Sequence, residues 1–230
     1  MNAAAIVAAA GDGLRMGGVT RKQYLLLEGE PLLARSLKLF VEHPAITEII
    51  VVVPPDDTDV VFELLQPHCP LGKVKLIGGG ATRQESVNRG LVALSAPVEL
   101  VCIHDAARPL FSGALLDKLL EMAARWGAAV PVIPLSDTLK EVDSSGFILS
   151  TPPREALRQV QTPQVFRLSL LREACMNATL SGMSVTDDAA LVELLGKPVM
   201  TVPGELSNLK ITSPRDLILA SLILKGAGLG

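Results

Sequence analysis

Small residues, an arginine and a lysine coincide near the start of the chain. Ala9-Ala10-Gly11-Asp12-Gly13-Leu14-Arg15-Met16-Gly17-Gly18 follows at once on the strand-like run Ile6-Val7-Ala8, and Lys22-Gln23 closes it. Glycines without a Cβ let backbone N–H groups approach an anion closely, while Arg15 and Lys22 can neutralise several negative charges. That chemistry suits a nucleoside triphosphate. Two commoner phosphate loops do not fit: the P-loop ends in Gly-Lys-Ser/Thr, and the dinucleotide fingerprint needs a small residue where Met16 stands. A plain tight turn is the simpler alternative.

A second group of polar residues lies at His104-Asp105-Ala106-Ala107-Arg108-Pro109, after the apolar run 100–103. A carboxylate exposed at a strand end is a hard-oxygen ligand for Mg²⁺ or for sugar hydroxyls, and a turn or helix-cap aspartate is its plainer role. His104 reads as structural, or as supporting the site from behind, rather than as catalytic. Gly78-Gly79-Gly80, with Arg83 and Ser86 behind it, makes another small-residue wall. Ser86 is placed either to hydrogen-bond a base or to face solvent from a helix. Thr138, Lys140, Arg154 and Lys210 add hydroxyl and cationic groups.

The elements that must position these residues alternate along the chain. Apolar runs at 49–53, 74–77, 100–103 and 129–133 are strand candidates. Between them, Leu32, Leu33, Ser36, Leu37 and Phe40 form one helical stripe, and Leu115, Leu116, Leu119, Leu120 and Ala123 form another. Thr82 and Glu85 predict a capping box opening a helix through Leu94, and Ser213-Pro214 opens a last helix. Continuous strand hydrophobicity with intervening helices implies an α/β fold, its mostly parallel sheet covered on both faces. Ligands then bind beyond the carboxyl ends of the strands, where the Gly11 loop and Asp105 both sit. Between 136 and 162 the pattern breaks into a short hairpin around Asp143-Ser144-Ser145-Gly146. Such a hairpin is marginal alone, so it should pack on another subunit.

Composition bounds the partners. The 230 residues are 49% hydrophobic and 20% charged with a net charge of -3. One sizeable core can form, and nothing draws the chain to nucleic acid or an acidic membrane. A single domain over 1–230, with 136–162 as a protruding arm, and a small-molecule partner are expected. Cys69, Cys102 and Cys175 are scattered and odd in number, which suits a reducing cytoplasm better than zinc or disulfides. No Lys or Arg precedes Arg15, so the N-terminal run reads as a first strand and not as a signal peptide. No apolar stretch approaches the ~20 residues that span a bilayer.

Taken together the motifs resemble one family. The N-terminal loop with Lys22-Gln23-Tyr24, Gly79-Gly80 with Arg83 and Ser86-Val87, His104-Asp105-Ala106-Ala107-Arg108-Pro109, Asp137-Thr138, Thr162-Pro163-Gln164, Thr186-Asp187-Asp188 and Asn208-Leu209-Lys210-Ile211-Thr212 are similar to those of the 2-C-methyl-D-erythritol 4-phosphate cytidylyltransferases. They run in order across nearly the whole chain. Ribitol-phosphate or other sugar-phosphate cytidylyltransferases are the alternative of the same class, and a catalytically silent nucleotide-binding module is one of another class.

The resemblance implies a Rossmann-like nucleotidyltransferase sheet and a reaction of CTP with methylerythritol 4-phosphate, in isoprenoid precursor synthesis. It implies Arg15, Lys22, Arg154 and Lys210 as the catalytic set. Ala9, Ala10, Gly11, Gly13, Arg15, Lys22, Gly80, Ser86, Asp105 and Ala106 would bind CTP. Asp105, Arg108, Thr138, Arg154 and Lys210 would bind the acceptor. Mg²⁺ is implied as cofactor, held mainly through phosphates with Asp105 nearby. A homodimer is implied, in which the arm carries Thr138 and Arg154 to the neighbouring site. Ala81-Thr82 departs from the acidic pair common at that point, and Gly17-Gly18 makes the first loop small. With only a final helix after Lys210, no fused cyclodiphosphate synthase domain is expected.

The chemistry agrees independently. A phosphate monoester has its second pKa near ~6, so its oxygen attacks already ionised and no general base is required. The protein's task is to bring two polyanions together and to stabilise charge at the α-phosphate and departing pyrophosphate.

Overall fold

The computed structural model describes residues 2–11 and 21–226. β1 (Ala3–Ala8) leads to a 3-10 turn at Lys22–Tyr24 and a small hairpin, β2 (Leu26–Leu27) and β3 (Glu30–Pro31). Then follow α1 (Leu32–Glu42), β4 (Ile46–Val53), α2 (Thr58–Leu65), β5 (Val74–Gly78), α3 (Arg83–Ala93) and β6 (Leu100–Asp105). α4 (Gly113–Trp126) precedes β7 (Ala128–Pro134), and a second hairpin pairs β8 (Glu141–Val142) with β9 (Ile148–Ser150). The chain closes through β10 (Arg158–Val160), β11 (Gln164–Arg167), α5 (Leu168–Leu180), α6 (Asp188–Leu194), β12 (Met200–Pro203) and α7 (Pro214–Lys225).

The main sheet runs β10-β7-β11-β6-β1-β4-β5, with β12 also paired to β7. β1 is parallel to β4 and β6, β4 to β5, and β12 to β7. β11 is antiparallel to both β6 and β7, and β10 is antiparallel to β7. The expected, mostly parallel α/β sheet is therefore present. Its two inserted antiparallel strands are short and carry Arg158, Gln159, Gln164 and Arg167, so no apolar run announces them. Because β10 rejoins the sheet, the excursion expected at 136–162 leaves the sheet only up to about 157.

Alternate residues of the central strands feed two cores, as a sheet covered on both faces requires. Ala5, Val7, Ile49, Val51 and Cys102 pack with Leu37 and Phe40 of α1 and with Leu116 and Leu119 of α4. Ala4, Ile6, Ile50, Val101 and Ile103 pack with Val87 and Leu91 of α3 and with Leu171 and Ala174 of α5. Caps fix where the helices begin. Thr82 accepts from Glu85 N at 3.1 Å, Ser112 accepts from Leu115 N, and Ser213 with Asp216 completes a reciprocal capping box at α7. At α3 the box is displaced by one residue: the Glu85 carboxylate accepts from Ala81 N at 2.7 Å, and the helix ends at Ala93.

Candidate active site

Sheet register brings the loops together at one edge. Ala8 pairs with both Val52 and Asp105, and Val53 pairs with Gly78. Ala9 N then donates to Val52 O at 2.8 Å, Gly79 N to Val53 O at 2.7 Å, and Ala106 N to Ala8 O at 3.2 Å. So Ala9, Ala10, Gly11, Gly80 and Ala106, all expected to bind nucleotide, leave the sheet side by side. Gly13 and Arg15 lie outside the described residues.

The first loop is held from its far side. Gln23, only 2% exposed, donates from Nε2 to Ala9 O at 2.6 Å and to Gly11 O at 3.1 Å. Its turn is tied down by Tyr24, whose hydroxyl donates to Asp57 at 2.8 Å, and by Arg21, which lies 2.9 Å from the same carboxylate. Lys22 stands beside Gln23 on this turn. Gln23 figured in the sequence only as part of a motif, and its clamping role shows only once the loop closes.

The second wall is tightly fitted. A Cβ on Gly79 would stand 2.5 Å from Ala10 Cβ and 2.9 Å from Ser86 Oγ, so the backbone approaches the first loop as only glycine permits. Ser86 does not face solvent as its plainer reading allowed. It is 2% exposed, donates to Thr82 O at 2.9 Å and accepts from Gly80 N at 3.1 Å. The hydroxyl therefore orders the Gly80 backbone from inside the wall.

Asp105 corrects another expectation: it is 8% exposed and not free at a strand end. Arg83 Nε lies 3.2 Å from its Oδ1, and Lys210 Nζ lies 2.7 Å from its Oδ2. Arg83 Nη2 also reaches Asp188 Oδ2 at 2.8 Å, joining the N-termini of α3 and α6 to the end of β6. Burial alone would raise the Asp105 pKa, but Arg83 and Lys210 outweigh it and hold the carboxyl well below the usual range. For the still deeper Asp188, burial prevails over Arg83 and the pKa is raised. Arg83 and Asp188 stood in the sequence only as parts of motifs, and their pairing was not legible there because only folding brings α3 and α6 together.

Asp105, Arg108 and Lys210 meet in a cleft of about 460 Å³, with Arg83, Thr162, Gln164, Thr186 and Glu193 among its walls. Arg108 Nη1 donates to Asn208 O at 2.8 Å, while its buried Nε has no protein partner. Burial lowers the Arg108 pKa against the pull of Asp105. A buried guanidinium N–H without an acceptor is costly. Ile211 N donates to Ala107 O at 2.8 Å, which pins the Lys210 segment to the 105–108 turn. Asn208, fully buried, donates to Thr162 O at 2.9 Å, and Gln164 donates to Asp187 at 2.8 Å. These short polar motifs between apolar runs were visible in the sequence, but their bonding was not.

His104 is not exposed to the cleft, in keeping with a structural or supporting role. Its ring is fully buried against Phe40 and Phe111, and burial pushes its pKa down to about 3. Thr138 and Arg154 do not line the cleft within this chain. Both are exposed, and Arg154 donates to Ser136 O at 2.8 Å. Around them Phe147, Ile148 and Leu149 are 72%, 63% and 62% exposed.

Among the described residues no three His, Cys, Asp or Glu side chains group to hold a metal ion. Both Asp105 oxygens are already engaged by cations, so Asp105 is not a vacant metal ligand. Such a set suits an ion carried on phosphate oxygens rather than one caged by protein.

Known proteins match this arrangement along the chain. The family model described as 2-C-methyl-D-erythritol 4-phosphate cytidylyltransferase (IspD) matches residues 3–226. A curated protein of that name from Desulforamulus reducens is 43% identical over 225 residues, covering 97% of this chain and 96% of its own. One from Frankia casuarinae is 46% identical over 222 residues, covering 96% of this chain and 80% of its own. The crystal structure of the cytidylyltransferase from Thermus thermophilus superposes with a TM-score of 0.80 at 41% identity, covering 98% of this chain and 100% of that one. The 4-diphosphocytidyl-2C-methyl-D-erythritol synthase from Anaerococcus prevotii gives a TM-score of 0.85 at 33% identity, covering 97% of this chain and 96% of that one. With motifs, fold and comparisons in agreement, the chain belongs to the 2-C-methyl-D-erythritol 4-phosphate cytidylyltransferase family.

Proposed function

We propose that the loop edge and the adjoining cleft perform the family's reaction, transfer of a cytidylyl group from CTP to 2-C-methyl-D-erythritol 4-phosphate with release of pyrophosphate. The observation that carries the assignment of roles is the meeting of Lys210, Arg108 and Asp105 in one cleft beside the Ala9-Ala10-Gly11 edge. The edge takes CTP: Ala9, Ala10, Gly11, Gly13 and Ala106 line it, Gly80 and Ser86 meet the cytosine, and Arg15 and Lys22 hold the triphosphate. The cleft takes the acceptor, whose phosphate is drawn by the cations Lys210 and Arg108 that line it.

Rate then comes from placement and charge. The acceptor phosphate is largely dianionic above its second pKa near ~6 and attacks the α-phosphate without a base. Asp105, held ionised, does not move a proton at neutral pH; it anchors Lys210 and accepts hydrogen bonds from sugar hydroxyls. Arg15, Lys22 and Lys210 stabilise charge that grows at the α-phosphate and the leaving pyrophosphate. A Mg²⁺ ion would be held here through the substrate phosphates and would neutralise part of their charge.

The active form is a homodimer, and Arg154 and Thr138 act on the acceptor of the neighbouring subunit. The exposed apolar side chains of the 136–157 segment support this, because a two-stranded hairpin needs a surface to cover it. One domain, 1–230, carries the activity. Three free cysteines support a reducing cytoplasm as the enzyme's compartment. Among the described residues no helix is long and apolar enough to cross a membrane. Pyrophosphate release that requires both CTP and methylerythritol 4-phosphate tests the reaction. Release independent of the acceptor would contradict it.

A further inference from the structure

His104 and Thr162 are joined in a chain of hydrogen bonds whose direction is determined at one end. His104 Nε2 lies 3.0 Å from Arg108 O, and His104 Nδ1 lies 3.0 Å from Thr162 Oγ1. A carbonyl oxygen only accepts, so Nε2 carries the ring proton. The ring is fully buried between Phe40 and Phe111, and among the described residues no carboxylate bonds either nitrogen, so it is neutral and Nδ1 is an acceptor. Thr162 must donate its hydroxyl proton to that nitrogen. The same oxygen also accepts from Asp105 N at 3.0 Å. A hydroxyl has one proton and two lone pairs, so a single lone pair is left on Thr162 Oγ1.

Thr162 lines the acceptor cleft. We infer that His104 is a positioning residue that makes the Thr162 hydroxyl acceptor-only toward the cleft, so that this wall receives a hydroxyl of the acceptor and turns away its phosphate. The inference rests on the placement of the acceptor proposed above. It adds a sense of direction to that placement: the phosphate lies with Lys210 and Arg108, which only donate, and a polyol hydroxyl lies at Thr162. Phe40 and Phe111 close around the ring, and among the described residues its nitrogens bond only Arg108 O and Thr162 Oγ1.

Two measurements on the full-length enzyme test this. In the wild type, ¹⁵N NMR should show His104 with a protonated Nε2 and a bare Nδ1 coupled to a slowly exchanging Thr162 hydroxyl proton. A protonated Nδ1 would overturn the inference without any variant having to fold. Kinetically, Thr162→Val and His104→Phe should each raise the KM for methylerythritol 4-phosphate roughly 2- to 10-fold, the scale of one hydrogen bond. The KM for CTP should stay within about twofold, Thr162→Ser should restore the acceptor KM, and inorganic phosphate should compete better in His104→Phe. The double variant should match Thr162→Val alone, because His104 acts through that hydroxyl. Effects that multiply, or a CTP KM that rises in step, would overturn the inference. If Lys210→Ala and Thr162→Val both leave the acceptor KM unchanged, the acceptor placement itself fails; if only His104→Phe leaves it unchanged, the placement stands and the inference falls.

Discussion

Lys210 Nζ lies 2.7 Å from Asp105 Oδ2, although the two residues come from opposite halves of the chain. The Lys210 side chain is 40% exposed, while that of Asp105 is 12% exposed, so the pair has one wet and one dry end. Arg83 holds the other Asp105 oxygen. A lysine in this setting can turn to a phosphate without leaving an unpaired buried carboxylate behind.

Lys210→Ala should therefore lower turnover on the order of 100- to 1,000-fold, the loss seen when one charge-stabilising donor is removed. Its melting temperature should fall by only a few degrees, because Arg83 still compensates Asp105. Steady-state kinetics and a thermal melt on the same preparation check both halves. Near-normal turnover with a collapsed melting point would make Lys210 a structural residue.

Gly79→Ala should raise the KM for CTP and cost about 1–3 kcal/mol of stability, the range for overpacking a close contact. The added methyl would meet Ala10 Cβ at 2.5 Å, and neither backbone has a flexible side chain that could yield. Denaturant unfolding and CTP titration measure the two effects. An unchanged CTP KM would remove Gly79 from the nucleotide wall.

Acid should destabilise the fold through His104. Its pKa is pushed down to about 3 by burial, whereas an unfolded histidine titrates near ~6.5. Between those values the unfolded chain binds a proton that the native protein refuses. Stability from this residue is thus complete above ~6.5 and is lost as pH falls, by at most about 1.4 kcal/mol per pH unit. The lowered pKa of Asp105 adds its own loss only below the unfolded aspartate value of ~3.9, and the raised pKa of Asp188 acts in the opposite sense. The difference in unfolding free energy between wild type and His104→Phe, followed from pH 7 to about 4, isolates the histidine. Parallel curves would show that His104 titrates alike in both states.

Much of this was legible in the sequence where the signal is local. β1, β4, β5, β6 and β7 are largely apolar, and α1 and α4 show clean stripes, so the parallel core and its ligand-binding edge followed directly. β10, β11 and β12 were not legible, since short strands with Arg158, Gln164 or Thr201 gain their identity from partners far along the chain. α5 carries a signal of its own, Leu168, Leu171, Ala174, Cys175 and Ala178 at helical spacing. In the site, Asp105 was found but its exposure was misjudged, because Arg83 and Lys210 reach it only through the tertiary fold. The same holds for Gln23, whose motif was plain and whose bonds to Ala9 and Gly11 were not.

Arg154 is expected to work in the neighbouring subunit, so defects should complement. Arg154→Ala and Lys22→Ala homodimers should both be weak. In the mixed dimer one site receives both defects and the other neither, and activity should return to roughly half of wild type per heterodimer, following two independent symmetric sites. Heterodimers that form without any recovery would place Arg154 in its own subunit.

The most direct measurement is pyrophosphate release with each donor and acceptor in turn. With CTP, methylerythritol 4-phosphate should support rapid turnover and ribitol 5-phosphate should not, and ATP should fail to replace CTP. Equal turnover with ribitol 5-phosphate would contradict the assigned acceptor, and equal turnover with ATP would contradict a wall at Gly80 and Ser86 that reads cytosine.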